Sequence, residues 1–208
     1  MLNAKYYPAW LELGRAFVDL ERFTEAEASL EEVLQLNPDV RGLPQEGEIA
    51  ASDAHYLLGQ IAISRSELTE ATSELQQSLH RARNVDAMSA LGYVSYRTGD
   101  LDGALMQYET VLRFQQIITP PREFPDAYLF RGAIRPARQE FSQAINDYTR
   151  AIEIYNRQIT SLNAQAEISD STGLKQKAEI ERRRKRDIEK QLHMALDLKT
   201  NAEKQMQR

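Results

Sequence analysis

Four glycines in this chain are each followed, twelve residues later, by an alanine: Gly14 and Ala26, Gly59 and Ala71, Gly92 and Ala104, Gly132 and Ala144. Two helices approach closely only where both lack bulk, so a recurring pair of small residues marks one contact made repeatedly. The surroundings recur as well. Trp10, Leu13 and Phe17 flank Gly14, and Leu30 and Val33 follow Ala26. His55 and Leu58 precede Gly59, with Leu75 after Ala71; Met88 and Leu91 precede Gly92, with Tyr108 and Val111 after Ala104. Tyr128 and Arg131 precede Gly132, with Tyr148 and Ala151 after Ala144. Apolar residues three or four apart on both sides of a short polar break predict two amphipathic helices per unit. Pro38 cannot continue the second helix of the first unit and closes it.

One such unit cannot bury its apolar face alone, so the units must stack on their neighbours. The run Trp10, Leu13-Gly14, Phe17, Ala26, Leu30 and Pro38 resembles the tetratricopeptide repeat, whose W-x2-L-G-x2-Y…A-x3-F…P pattern spans ~34 residues. The resemblance implies an all-α, right-handed solenoid of about four helix-turn-helix repeats, near 7–40, 52–84, 85–118 and 125–158. A long C-terminal helical hairpin is expected to follow, dividing the chain into an array over 1–156 and extended basic helices over 157–208. Leu2-Asn3-Ala4 aligns with Leu36-Asn37-Pro38 at an offset of 34. The chain is therefore expected to begin on the end of a preceding repeat, either as a natural edge or as a segment of a longer array.

Departures from the period are informative. The glycines are 45, 33 and 40 residues apart. The first surplus falls in Asp39–Ser52, where Gly42, Pro44 and Gly47 are expected to break helical order and give a projecting loop. The second surplus surrounds Thr119-Pro120-Pro121 and Pro125. Pro136 falls inside the expected first helix of the fourth unit and should kink or shorten it. The second helix of that unit is expected to overrun. Ile145, Tyr148, Ile152, Tyr155, Ile159, Leu162 and Ala166 form one stripe, predicting a helix from about Ser142 to Ile168. Ser169–Gly173 has turn chemistry, and a second long helix is expected from about Leu174 to Gln205. Ile188, Leu192, Ala195, Ala202 and Met206, interrupted by Lys199, give it a near-heptad seam. An antiparallel hairpin fits this pattern; pairing of the last helix with another chain, including self-association, is the alternative.

The formal charge of −5 hides an asymmetry. Residues 157–208 hold twelve Lys and Arg against eight Asp and Glu, a balance of +4, which leaves −9 for 1–156. Cysteine is absent, which excludes thiol catalysis and disulfides and fixes no compartment. No run approaches the ~18 apolar residues of a membrane span and no secretory signal follows Met1, so the cytoplasm is the expected location. Phosphate-binding loops, dinucleotide glycine motifs and nucleophile elbows are all missing from the sequence. His55 takes the place Trp10 holds in the first unit and reads as a packing residue; His80 and His193 lack metal-spaced partners. No enzymatic activity, cofactor or metal is expected.

The run Arg182-Arg183-Arg184-Lys185-Arg186 is the densest charge feature. Within a helix its members point in different directions, and Glu179, Glu181, Asp187 and Glu189 stand near enough to pair with it. No aromatic residue is interleaved to stack on bases, which argues against nucleic acid as the partner. A nucleic-acid-associated regulator and an accessory segment of a larger enzyme or assembly factor stand as alternatives to a protein-binding adaptor.

The resemblance implies a concave surface, lined by the first helices of successive repeats, that holds a peptide or a partner helix. The lining positions would be Leu11, Arg15 and Val18, then Tyr56, Gln60 and Ile63, then Ser89, Tyr93, Tyr96 and Arg97. Leu129, Ala133 and Ala137 would follow from the fourth unit. Family members that read chaperone tails use a Lys/Asn/Arg clamp at such positions. Here only Arg15 and Arg97 are basic, so that mode of recognition is in doubt. Tyrosine- and leucine-lined positions suit an apolar peptide or amphipathic helix instead.

Overall fold

The predicted helix pairs are present in the computed structural model, which describes residues 7–36, 44–119 and 121–207. The helices are α1 (Tyr7–Asp19), α2 (Phe23–Gln35), α3 (Pro44–Ser64), α4 (Leu68–Arg81), α5 (Val85–Thr98), α6 (Leu101–Gln115), α7 (Pro125–Ile134), α8 (Phe141–Ser171) and α9 (Lys175–Met206). A 3-10 turn at Arg135–Arg138 follows α7, and no strand occurs among the described residues. The expectations for Leu2–Ala4, Pro38 and Pro120 lie outside the described residues.

The glycine–alanine spacing has the physical cause expected of it. A Cβ on Gly14 would lie 2.7 Å from Leu30 Cδ2, on Gly59 2.8 Å from Leu75 Cγ, and on Gly132 2.8 Å from Tyr148 Cε1. In each case the obstructing side chain is sixteen residues on, four past the conserved-spacing alanine. Ala26, Ala71, Ala104 and Ala144 are all fully buried.

The turn inside each pair also repeats. Glu21, Ser66, Gly99 and Gln139, each seven residues after the glycine, all adopt left-handed backbone, with φ of 54°, 64°, 88° and 61°. The next residue closes a reversed turn in every repeat: Arg22 N donates to Phe17 O, Glu67 N to Ala62 O, Asp100 N to Ser95 O and Glu140 N to Arg135 O. This 6→1 bond satisfies a carbonyl left open at the helix end and reverses the chain. Only the third repeat uses glycine where L-residues are strained.

The chain falls into two compact units, Met1–Gln107 and Tyr108–Arg208. In the first, Leu11, Leu30, Val33, Ala54, Leu57 and Ile61 form one buried cluster, with Trp10, Phe17 and Val18 packed on it. Ala62, Ala71, Leu75, Ala87, Ala90 and Val94 form the next. The first insertion differs from the expected loop. Residues 44–52 are helical, and α3 runs for 21 residues. Pro44 begins that helix, where a missing N–H costs nothing, and Gly47 lies within it.

The second unit is built on α8. This 31-residue helix is both the second helix of the fourth repeat and the first of the hairpin. Tyr108 stacks on Phe130 with centroids 6.0 Å apart, and Phe124, Tyr148, Ile154 and Tyr155 are buried with them. The second insertion is a tied segment. Phe124 N donates to Gln115 Oε1 at 3.0 Å, and Glu123 accepts from Arg157 at 2.7 Å and Arg150 at 3.3 Å. As expected of Pro136, α7 stops at Ile134 and the 3-10 turn follows. The turn between α8 and α9 has Gly173 at φ 76°. The two helices run antiparallel: Arg182 of α9 pairs with Asp170 near the turn, and Ser142 Oγ meets Met206 Sδ at 3.4 Å at the far end.

One feature of this core is ionic. Arg131 stands where the other repeats place leucine before the glycine. It donates to Asp147 at 2.9 and 2.6 Å, and Arg135 Nη1 reaches the same carboxylate at 2.9 Å. Asp147 is 3% exposed. Burial works against the Arg131 charge, and the Asp147 carboxylate more than offsets it, leaving its pKa raised.

Candidate partner-binding surface

In the first unit, α1 packs on α3 and α3 on α5, so the first helices of three repeats lie side by side. Three residues join them. Arg15 Nη2 approaches Asp53 Oδ2 at 3.4 Å, and Asn84 Nδ2 donates to Asp53 Oδ1 at 3.1 Å. Asn84 also accepts from Ala87 N at 3.0 Å, capping α5. Asp53 is therefore held by both neighbours of α3. Its carboxyl sits above the ordinary aspartate range because burial disfavours the charge; Arg15 opposes this and nearby Asp86 adds to it.

The surface beside this junction holds the expected tyrosines. Gln60 Nε2 donates to Tyr56 OH at 3.0 Å, and the Tyr56 ring packs against both buried clusters. Arg97 Nη1 donates to Tyr93 OH at 2.7 Å, with its guanidinium carbon 5.6 Å from the ring centroid. Both contacts hold a half-buried tyrosine in place.

The expected lining residues divide by their position relative to the glycine. Arg15, Gln60, Tyr93 and Ala133, one residue after it, are all half-buried. Val18, Ile63 and Tyr96, four after it, are half-buried too. Three before it, the column closes where it holds leucine. Leu11 is 8% and Leu129 0% exposed, so these two belong to the core and do not line a surface. Leu11 lies in the first buried cluster with residues of α2 and α3, while Tyr56 and Ser89 remain half-buried at that position. Arg97 is exposed. Ala133 and exposed Ala137 lie in the second unit, on α7 and its 3-10 turn.

His55 packs as expected and also makes a bond that the sequence reading missed. Its Nδ1 lies 2.8 Å from Glu74 Oε2, with the side chain 13% exposed. The basic run is paired: Arg182 with Asp170 and Glu179, Lys185 with Glu189 at 3.6 Å, Arg186 with Glu179 at 3.0 Å. Among the described residues, no group of three or more His, Asp or Glu is placed to hold a metal ion. No helix among them is long and apolar enough to cross a membrane.

Comparison with known proteins agrees with this architecture. The tetratricopeptide repeat family model matches residues 11–83 and 56–116, which together span about half of the chain. YrrB, described as a TPR protein with an unusual peptide-binding site, is 14% identical, with a TM-score of 0.54 over 95% of this chain and 94% of its own. MamA AMB-1 is 17% identical, with a TM-score of 0.50 over 88% of this chain and 92% of its own. Another crystal structure of MamA gives 16% identity and 0.50, over 95% and 94%. At these identities the likeness is one of fold. No curated protein sequence matches the chain.

Proposed function

The chain belongs to the tetratricopeptide repeat family, whose members are in general non-catalytic interaction modules, and on that premise we propose that it is an adaptor holding a peptide or amphipathic helix of a partner protein on the first-helix surface. Such a partner would place the chain within a multiprotein assembly, where it performs no catalysis itself. The observation that carries this reading is the pair of half-buried columns on α1, α3 and α5. Arg15, Gln60 and Tyr93 alternate with Val18, Ile63 and Tyr96, and all six side chains are half-buried. A surface of that kind offers hydrogen-bonding heads above apolar bodies, which suits a ligand with one apolar and one polar side. The rings of Tyr56 and Tyr93 are held by Gln60 and Arg97, so less side-chain freedom is lost on binding. The peptide-binding site of YrrB, on a chain of the same fold, supports the assignment.

The test is retention of partners from the native source by the whole chain and by Tyr93→Ala/Tyr96→Ala. Both rings are only half-buried, so the variant should keep its helix content while losing its partner. Undiminished retention by a folded variant would move the binding site away from these helices.

A further inference from the structure

The negative charge of the repeats is not spread along them. Met1–Gln107 holds eight Lys and Arg against seventeen Asp and Glu, a balance of −9, whereas residues 108–156 hold six of each sign. The acidic excess therefore belongs wholly to the unit that carries the first-helix surface. Helices α1, α3 and α5 contribute six carboxylates and two guanidiniums, those of Arg15 and Arg97, a balance of −4. Adding Arg81 and Arg83, which lie just before α5, still leaves −2. Within the surface the acid lies at one end. At the junction of α1, α3 and α5, Arg15 faces Glu12 at 3.8 Å and Asp53 at 3.4 Å. Half-buried Asp86 is near enough to add to the burial that holds the Asp53 carboxyl above its ordinary range. One guanidinium thus stands among three carboxylates. Arg97 lies toward the other end of α5, on the Tyr93 hydroxyl, and Arg81 faces Glu48 at 3.5 Å. Half-buried Ile63 and Tyr96 come ten residues after Asp53 and Asp86, about 15 Å along each helix.

On the reading that these helices are the docking surface, we propose that its occupant is a basic amphipathic segment of another protein, with Lys or Arg over Glu12, Asp53 and Asp86 and its apolar side over Val18, Ile63 and Tyr96. Opposite charge draws such a segment to this unit and sets its direction on the surface, because only one end of the surface is acidic. An acidic segment would meet like charge at the junction. The basic helix of a second copy fits less well. Its run Arg182–Arg186 is already engaged, with Arg182, Lys185 and Arg186 on Asp170, Glu189 and Glu179.

The test is selection on the whole chain from a random displayed library of peptides about sixteen residues long, followed by titration of the tightest peptide. Selected peptides should hold about three times as many Lys and Arg as Asp and Glu. Asp53→Asn/Asp86→Asn should weaken the tightest peptide by about tenfold or more. Glu31→Gln/Glu70→Gln, which removes the same charge from exposed positions on α2 and α4, should weaken it less than about twofold. Glu12→Gln/Asp86→Asn repeats the first arm without touching Asp53, and circular dichroism verifies folding in each variant. Peptides with no basic excess that Tyr93→Ala/Tyr96→Ala releases would overturn the basic occupant and leave the docking surface standing. Basic peptides weakened equally by both neutralised pairs would overturn it too, since the charge of the whole unit would then attract them. A wild type that self-associates, and that Asp53→Asn/Asp86→Asn dissociates, would make a second copy the occupant and overturn the proposal. Peptides that Tyr93→Ala/Tyr96→Ala does not release, or a selection that yields no binder, would remove the docking surface and the basic occupant together.

Discussion

Asp147→Ala is the sharpest perturbation of the fold. Asp147 is 3% exposed and receives Arg131 at 2.9 and 2.6 Å and Arg135 at 2.9 Å. Removing it strands Arg131, whose side chain is 17% exposed, without a counter-charge, while Arg135 keeps Glu140 at 3.7 Å and the Gln143 carbonyl at 3.0 Å. Breaking a buried ion pair from one side costs about 3–5 kcal/mol, and with one cation stranded and the other still paired this variant falls toward the lower end. For a unit of about a hundred residues that corresponds to a fall in Tm of more than ~10 °C. Urea unfolding followed by circular dichroism measures it directly. The companion variant replaces Arg131, Arg135 and Asp147 together by Leu, Leu and Leu. An apolar set of similar volume should restore stability to within about 1–2 kcal/mol of wild type or exceed it. If Asp147→Ala alone loses less than about 1 kcal/mol, the carboxylate is not the group that holds this core, and the reasoning fails.

Two further predictions concern the first unit and the turns. Glu21→Gly, Ser66→Gly and Gln139→Gly relieve left-handed backbone and should each stabilise by roughly 0.5–1 kcal/mol, net of the entropy glycine adds to the unfolded chain. A loss of stability at all three in urea melts would refute the strain reading. Asp53→Asn probes the carboxyl held above its ordinary value. Its folded form keeps the proton to higher pH than its unfolded form, so wild-type folding loses stability as pH rises from the ordinary aspartate value through the folded one. The asparagine variant lacks that loss, and its stability relative to wild type should climb with pH across this acid window. A flat difference would mean that Asp53 is not perturbed.

The repeat architecture was legible because it rests on side-chain volume. Gly14 needs its neighbour's space only because Leu30 fills it, and that dependence writes itself as a fixed spacing. The long α8 was legible for a similar reason, since the stripe from Ile145 to Ala166 never breaks. The start of α3 was not. Gly42, Pro44 and Gly47 read as breakers, yet Pro44 suits a first helical turn and Gly47 is carried by the tertiary packing of a 21-residue helix. The polar junctions were hidden because they join residues far apart in sequence. Asp53 takes its partners from positions 15 and 84, and Asp147 from 131 and 135. Two columns did carry a signal. Asp53, Asp86 and Asp126 all lie six residues before a repeat glycine, and Glu74 and Asp147 both lie fifteen after one. Aligning the repeats on glycine exposes both columns. What no alignment shows is that the leucine at the third position before the glycine is sealed, since burial depends on the neighbouring helix.

The central claim is that partners dock on the first helices of the repeats. A photo-crosslinking residue placed at Gln60, half-buried beside Tyr56 on α3, tests it most directly against the same residue placed at exposed Gln76 on α4. The account predicts a partner adduct from position 60 and none from position 76. Adducts from 76 alone, or equally from both, would contradict it.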